Sequence, residues 1–170
     1  SQVNSTIATQ KHTPISLKIN GAVALVFFIT MGIIMSYSYH VESQRIYDHA
    51  EQYAKDITTF YFDGLNTMML TGTMSERAIL QQKMQTHAGI LEARVIRGEP
   101  VKGQFGPGLP EEAPVDELDH RALKGEEIVR LSEQNGERVI TVLTPFHATQ
   151  NTRGVNCLGC HQVPENSING

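Results

Sequence analysis

No run of lysine or arginine occurs in this sequence, and its formal net charge is −4. Both observations speak against a nucleic-acid partner, whose phosphates demand a basic face. There is no repeat at solenoid period and no low-complexity tract. No dense set of acid, base and nucleophile appears, so an enzyme is the least supported class. Tryptophan is missing and aromatics are sparse, yet a hydrophobic content of 40% suffices for a folded domain. At 170 residues, one domain plus an accessory segment is expected.

Charge itself is missing from Ile19 to Tyr39, a stretch that includes Leu25-Val26-Phe27-Phe28-Ile29 and Ile33-Ile34-Met35. Roughly 20 apolar residues cross a bilayer as a helix. A cleavable signal peptide has a shorter apolar region, so an uncleaved anchor over residues 19–39 is expected. Lys11 and Lys18 precede it and no acid occurs in the first forty residues, whereas Glu42, Arg45 and Asp48 follow it. The positive-inside rule then makes residues 1–18 a cytoplasmic tail and puts residues 40–170 outside, with Tyr37 and Tyr39 at the interface.

Beyond the anchor, Ile46, Ala50, Tyr53, Ile57, Tyr61, Gly64 and Met68 recur at steps of three and four. They predict a long amphipathic helix over Val41–Leu70 that continues the membrane helix and packs on the domain or forms a helix–helix dimer seam. Gly72 breaks the pattern. Thr73 with Glu76 reads as a capping box for a second helix through about Met84. Leu91–Arg97 is a strand candidate, and residues 103–114 an exposed loop rich in glycine and proline. Asp116–Lys124 suggests a short helix. A hairpin follows, with strands Glu127–Ser132 and Arg138–Thr144 about the turn at Asn135-Gly136. The acidic group Glu111, Glu112, Asp116, Glu117 and Asp119 reads most simply as solvated, with a docking patch for a basic partner as the sharper alternative. The order of elements predicts an α+β fold with a small antiparallel sheet.

Both cysteines fall in Cys157-Leu158-Gly159-Cys160-His161. This is the attachment signature of a c-type haem. Two intervening residues form one tight turn, so each sulfur can reach a vinyl group, and the adjacent His161 can ligate the iron from the same side. Gly159 would remove a side chain where backbone and macrocycle come close. The competing readings are a redox dithiol, which needs a preceding strand, and half of a zinc site, which needs a second ligand pair. Attachment of such haems outside the membrane agrees with the topology. The sixth ligand would come from Met68, Met69, Met74, Met84, His87, His120 or His147. Met68 and Met69 lead because they sit at a helix end broken by Gly72, and His147 follows. An open position would admit a gas instead.

An N-terminal anchor, a helix ending at Leu65-Asn66-Thr67-Met68-Met69-Leu70-Thr71-Gly72, a small sheet and then Asn156-Cys157-Leu158-Gly159-Cys160-His161-Gln162-Val163-Pro164 together resemble a known family. The chain is similar to the periplasmic c-type haem, PAS-like sensor domains of bacterial methyl-accepting chemotaxis receptors and related membrane signalling proteins. The one charge-free run gives a single-pass inner-membrane protein, and the resemblance implies that it binds one covalent haem c and senses redox state or a gas. It also implies a homodimer in which a methionine of the long helix can reach the partner's iron. In that family a final strand follows the haem motif, and a second membrane helix leads to signalling modules. This sequence stops at Asn169-Gly170, so it is expected to be part of a longer receptor or a short protein without its own output. The alternative function is a membrane-anchored monohaem cytochrome that exchanges electrons with a membrane complex or a redox partner protein.

Overall fold

A computed structural model describes residues 14–170, so the first thirteen residues of the expected cytoplasmic tail, Lys11 among them, lie outside it. The chain divides into two compact units, one reaching to Tyr47 and the other spanning Asp48–Gly170. A single helix, α1 (Ile15–Thr71), belongs to both.

Pro14 precedes α1, where its fixed φ suits a helix start. From Ile19 to Tyr39 the large apolar side chains are exposed all round, among them Phe28 at 71% and Ile33 at 64%. A helix that is apolar on every face needs a non-aqueous surrounding. These 21 residues extend about 30 Å at 1.5 Å each, which matches the hydrocarbon thickness of a bilayer. This helix is long and apolar enough to span a membrane.

Further along α1 the chain acquires its core. Tyr61 and Leu65 are buried with Met84, and Ile57, Met74, Leu80, Ile90, Ala93 and Val95 pack around them. The expected stripe is covered only from Ile57 onward, because Ile46 and Tyr53 remain 55% and 43% exposed. Gly72, at φ +70°, ends the helix. Its N–H donates to Met69 O at 3.4 Å, and the Thr73 N–H donates to Met68 O at 2.9 Å. Both bonds satisfy carbonyls that the helix end would otherwise leave free. The expected capping box does not form: Thr73 has no capping hydrogen bond, and its hydroxyl pairs with that of Thr71 at 2.9 Å. Instead a 3₁₀ turn, Met74–Glu76, leads into α2 (Arg77–Gln85). Gly64 lets α2 approach closely, since a Cβ there would lie 3.0 Å from Leu80 Cδ2.

Leu91–Arg97 joins no ladder, which corrects the strand expectation. Ala93 and Val95 still turn into the core, so the apolar alternation served packing rather than strand pairing. At the end of this stretch Arg97 N–H donates to Glu112 O and Gly98 N–H to Asn169 O, each at 2.8 Å. Residues 103–114 are likewise more than a loop. Helix α3 (Glu99–Phe105) enters this stretch and stops at Gly106, at φ +82°, and a 3₁₀ turn follows at Pro110–Glu112. Helix α4 (Glu117–Ala122) forms where a short helix was expected, and Asp116 caps it, its carboxylate accepting from Asp119 N–H at 2.9 Å.

The hairpin is present as β1 (Ile128–Gln134) and β2 (Glu137–Leu143), antiparallel, with Ile128 opposite Leu143 and Gln134 opposite Glu137. Positive φ at both Asn135 and Gly136 suits the tight two-residue turn. A second antiparallel pair joins β3 (His147–Ala148) to β4 (Ser167–Ile168), so two strand residues do follow the cysteine motif. The fold is α+β, with small antiparallel strand pairs beside helices.

Two of the acids expected to be solvated are buried. Asp119, 2% exposed, accepts from Arg94 Nη2 at 3.1 Å and from Val115 N–H at 2.8 Å. Glu112, 6% exposed, is bonded by Arg77 Nε, by Arg97 Nη2 at 3.0 Å and by Leu109 N–H at 3.0 Å. Burial alone would push the Glu112 carboxyl up. The Arg77 hydrogen bond, the Leu109 N–H and the two guanidinium charges overcome that and hold it below its ordinary range. Its stabilising contribution is therefore complete above about pH 4.3, the carboxyl's unfolded value, and is lost as pH falls through the lower folded value. Glu112→Gln should cost about 3 kcal/mol at neutral pH, because two guanidinium groups lose their counter-charge. Urea unfolding of the full chain in detergent should also show a shallower loss of stability on acidification in the variant.

Candidate functional site

The cysteine motif lies in a loop between β3 and β4, and short hydrogen bonds give it shape. Cys157–Gly159 form one 3₁₀ turn. Asn156 caps that turn by accepting from Leu158 N–H at 3.1 Å. Cys157 O then accepts from both Cys160 N–H, at 3.2 Å, and His161 N–H, at 2.9 Å. The two-residue spacing has thus wound into a single turn with His161 at its exit. No strand enters Cys157; the nearest pairing is an isolated bridge between Thr152 and Val155.

Both thiols are free, Cys157 buried and Cys160 exposed. His161 is half-buried, and burial lowers its pKa, which favours the neutral imidazole that a metal ligand needs. Its Nδ1 is buried without a hydrogen-bond partner. The Phe105 ring stands edge-on to the imidazole, with centroids 5.4 Å apart and planes at 80°. A Cβ on Gly159 would meet nothing nearer than Asn156 at 4.0 Å. The polypeptide itself therefore leaves the space beside Gly159 open. Free thiols, a neutral histidine with an orphaned nitrogen and an open glycine fit a covalently attached haem. Among the described residues, no three His, Cys, Asp or Glu side chains group so as to hold a metal ion. The second ligand pair that a zinc site requires is not assembled there.

Two contacts tie this part of the chain to α1, one where it enters β3 and one in the loop itself. Phe62 stacks on Phe146, just before β3, with centroids 3.6 Å apart and planes at 4°. One turn of chain before the motif, Arg153 forms a two-pronged pair with Asp63, with Nη2 2.6 Å from Oδ2. That pair holds the Asp63 carboxyl below its ordinary range. Arg153 has φ +50°, an uncommon conformation for a side-chain-bearing residue. The loop is closed at its neck by Cys157 N–H donating to Thr149 O at 3.0 Å.

The candidates for a sixth ligand are spread out. Met68 is half-buried and Met69 41% exposed at the end of α1. His147 is exposed, and its Nδ1 lies 3.1 Å from Asn166 O. Met84 belongs to the core, and Met74 packs against it. His87 Nδ1 is 3.1 Å from the Tyr53 hydroxyl, and His120 lies exposed on α4. Phe62, Asp63, Gln104, Phe105, Phe146 and Arg153 were not singled out from sequence. Phe105 alone offered a signal, as the one aromatic residue in a polar stretch rich in glycine and proline. Comparison with protein-family models, curated proteins and solved structures finds no match to this chain.

The mooring predicts a graded effect on the loop. Phe62→Ala should remove about 2 kcal/mol of packing and stacking, while Asp63→Ala removes under about 1 kcal/mol from an exposed pair. Hydrogen exchange at the Cys157 amide should then quicken by at least roughly tenfold in the first variant and only slightly in the second.

Proposed function

We propose that this chain is a membrane-anchored, monohaem c-type sensor input domain of PAS-like character, facing the periplasm from the inner membrane with its N-terminus in the cytoplasm. The observation that carries the proposal is the Cys157–His161 turn, with free thiols and an orphaned His161 nitrogen, in a loop moored to α1. Cys157 and Cys160 would form the thioethers, and His161 would be the proximal ligand. Met69 or Met68 would serve on the opposite side, with His147 as runner-up. When bound, the haem supplies a redox-active iron whose ligation responds to electrons or to a gas.

Sensing requires an element with two states that the ligand biases. Here the loop that carries the attachment motif meets Asp63 of α1 through Arg153, Phe146 just before β3 stacks on Phe62, and the same helix contains the apolar membrane-length segment. A change of ligation that repositions this loop acts on Arg153 and Phe146, and through them on α1. The uncovered part of the amphipathic stripe, at Ile46 and Tyr53, supports a homodimer seam along that helix. One observation favours the second reading, an electron carrier. Cys160 and Phe105 are exposed, as an attachment site that exchanges electrons with a partner protein requires.

The test is mass and colour. Protein made with an intact c-type maturation system should gain the mass of one haem and keep it through acid–organic extraction. The double variant Cys157→Ala, Cys160→Ala should stay in the membrane fraction and be colourless. An unmodified mass in the parent chain would sink the proposal. If the α1 methionines ligate, the far-red absorption of a methionine-bound ferric haem should disappear in Met69→Ala or Met68→Ala. Unchanged spectra in both, and in the double variant, would turn attention to His147.

A further inference from the structure

Helix α3 brings two side chains to the attachment segment, and neither belongs to the Cys157–His161 motif. Gln104 Nε2 donates to Cys160 O at 2.9 Å. The same side chain's Oε1 accepts from Gln162 N–H, also at 2.9 Å. Those two main-chain groups stand on either side of His161, so one amide brackets the backbone of the histidine. The next residue, Phe105, sets its ring edge-on to the imidazole. Backbone and ring plane of His161 are thus each held by a different side chain of one helical turn.

The helix that carries them is itself held at both ends. Gly98 N–H donates to Asn169 O at 2.8 Å where α3 begins. At its other end, Arg97 Nη1 donates to Gly106 O at 3.0 Å, while Arg97 Nη2 pairs with Glu112. The chemistry is specific to glutamine. A glutamate would accept from Gln162 N–H but could not donate to Cys160 O, and an asparagine is one methylene shorter. Phe105 is 54% exposed and lies outside the apolar core, so its main apolar role is at the histidine.

We propose that Gln104 and Phe105 are positioning residues that set the direction of the His161 imidazole. The inference deepens the haem reading and rests on it for its functional meaning, but the bracket itself is made entirely of the chain's own residues.

The experiment uses the full chain in detergent as the parent and as Gln104→Ala, Gln104→Glu and Phe105→Ala. Mass spectrometry first establishes whether the parent carries haem, and thermal unfolding establishes that the variants fold. On loaded ferric protein, the haem-methyl NMR shifts report the direction of the axial imidazole plane. Gln104→Ala and Phe105→Ala should shift and broaden this pattern while haem content stays complete, with Gln104→Glu between them and the parent. A pattern indistinguishable from the parent in both Gln104→Ala and Phe105→Ala would overturn the proposal. Were the parent to carry no haem, the functional reading would fail separately. The unloaded chain then decides: loss of the Phe105–His161 ring contact in Gln104→Ala upholds the bracket, and its survival overturns it.

Discussion

One buried carboxylate joins the parts of the domain that hydrophobic packing leaves separate. Glu112 is bonded at once by Arg77 of α2, by Arg97 before α3 and by the backbone N–H of Leu109. Removing such a charge from water costs several kcal/mol, and the attraction of its partners roughly offsets that cost. Its net contribution to stability is modest, but alternatives that leave it unpaired are strongly disfavoured. The carboxylate therefore selects an arrangement more than it adds stability. Arg97 extends the constraint, since its other nitrogen holds the Gly106 carbonyl at the end of α3. Gly108 enforces the same geometry, because it has φ +81° and a Cβ there would lie 2.0 Å from Glu112 Oε2. Tyr61 is drawn in as well. Burial, together with the Glu112 charge, pushes its hydroxyl up to about 12, so it remains a neutral phenol in the core.

The apolar core that this carboxylate supplements is small. Tyr61, Leu65 and Met84 form its buried centre, while Phe60, Leu70, Ile79 and Leu91 remain largely exposed. With so little area removed from water, polar contacts decide where the loops lie. Asp119 does for α4 what Glu112 does for α3. It ties Arg94 to the Val115 backbone at the approach to the helix. Both acids face an arginine contributed by Leu91–Arg97, so ion pairs rather than a ladder hold that stretch in place.

These constraints divide what sequence could disclose from what it could not. The charge-free run, the Asn135-Gly136 hairpin, the short helix after Asp116, the break at Gly72 and the Cys157–His161 turn were all legible, because each is encoded within a short stretch of consecutive residues. The fate of Glu112 and Asp119 was not. An acid among acids reads as solvated until distant arginines are known to meet it. Leu91–Arg97 has the alternation of a half-buried strand, and alternation reports burial of one face without saying whether a ladder partner exists. The capping box failed for a related reason: Thr73 had a nearer hydroxyl to bond, and the chain turned through 3₁₀ geometry first. At the candidate site, the motif was visible and its surroundings were not. Gln104 and Phe105 act across more than fifty residues of sequence, a distance at which local patterns carry no signal.

The loop's attachment to α1 shows which of two contacts holds it and which aligns it. The Asp63–Arg153 pair is nearly half exposed on both sides, so water and salt weaken it to about 0–1 kcal/mol. Its two-pronged geometry nonetheless fixes one register of the loop along the helix. The stack of Phe62 on Phe146 removes apolar surface from water and adds about 0.5–1.5 kcal/mol for ring contact. That term is insensitive to ionic strength, whereas exposed charges are screened within about 8 Å at physiological salt. The aromatic pair therefore holds the chain just before β3 on α1 whatever the ionic strength, and the ion pair aligns the loop beyond it. Screening of the ion pair by salt loosens the alignment of the loop while the ring stack still holds the chain to the helix at Phe146.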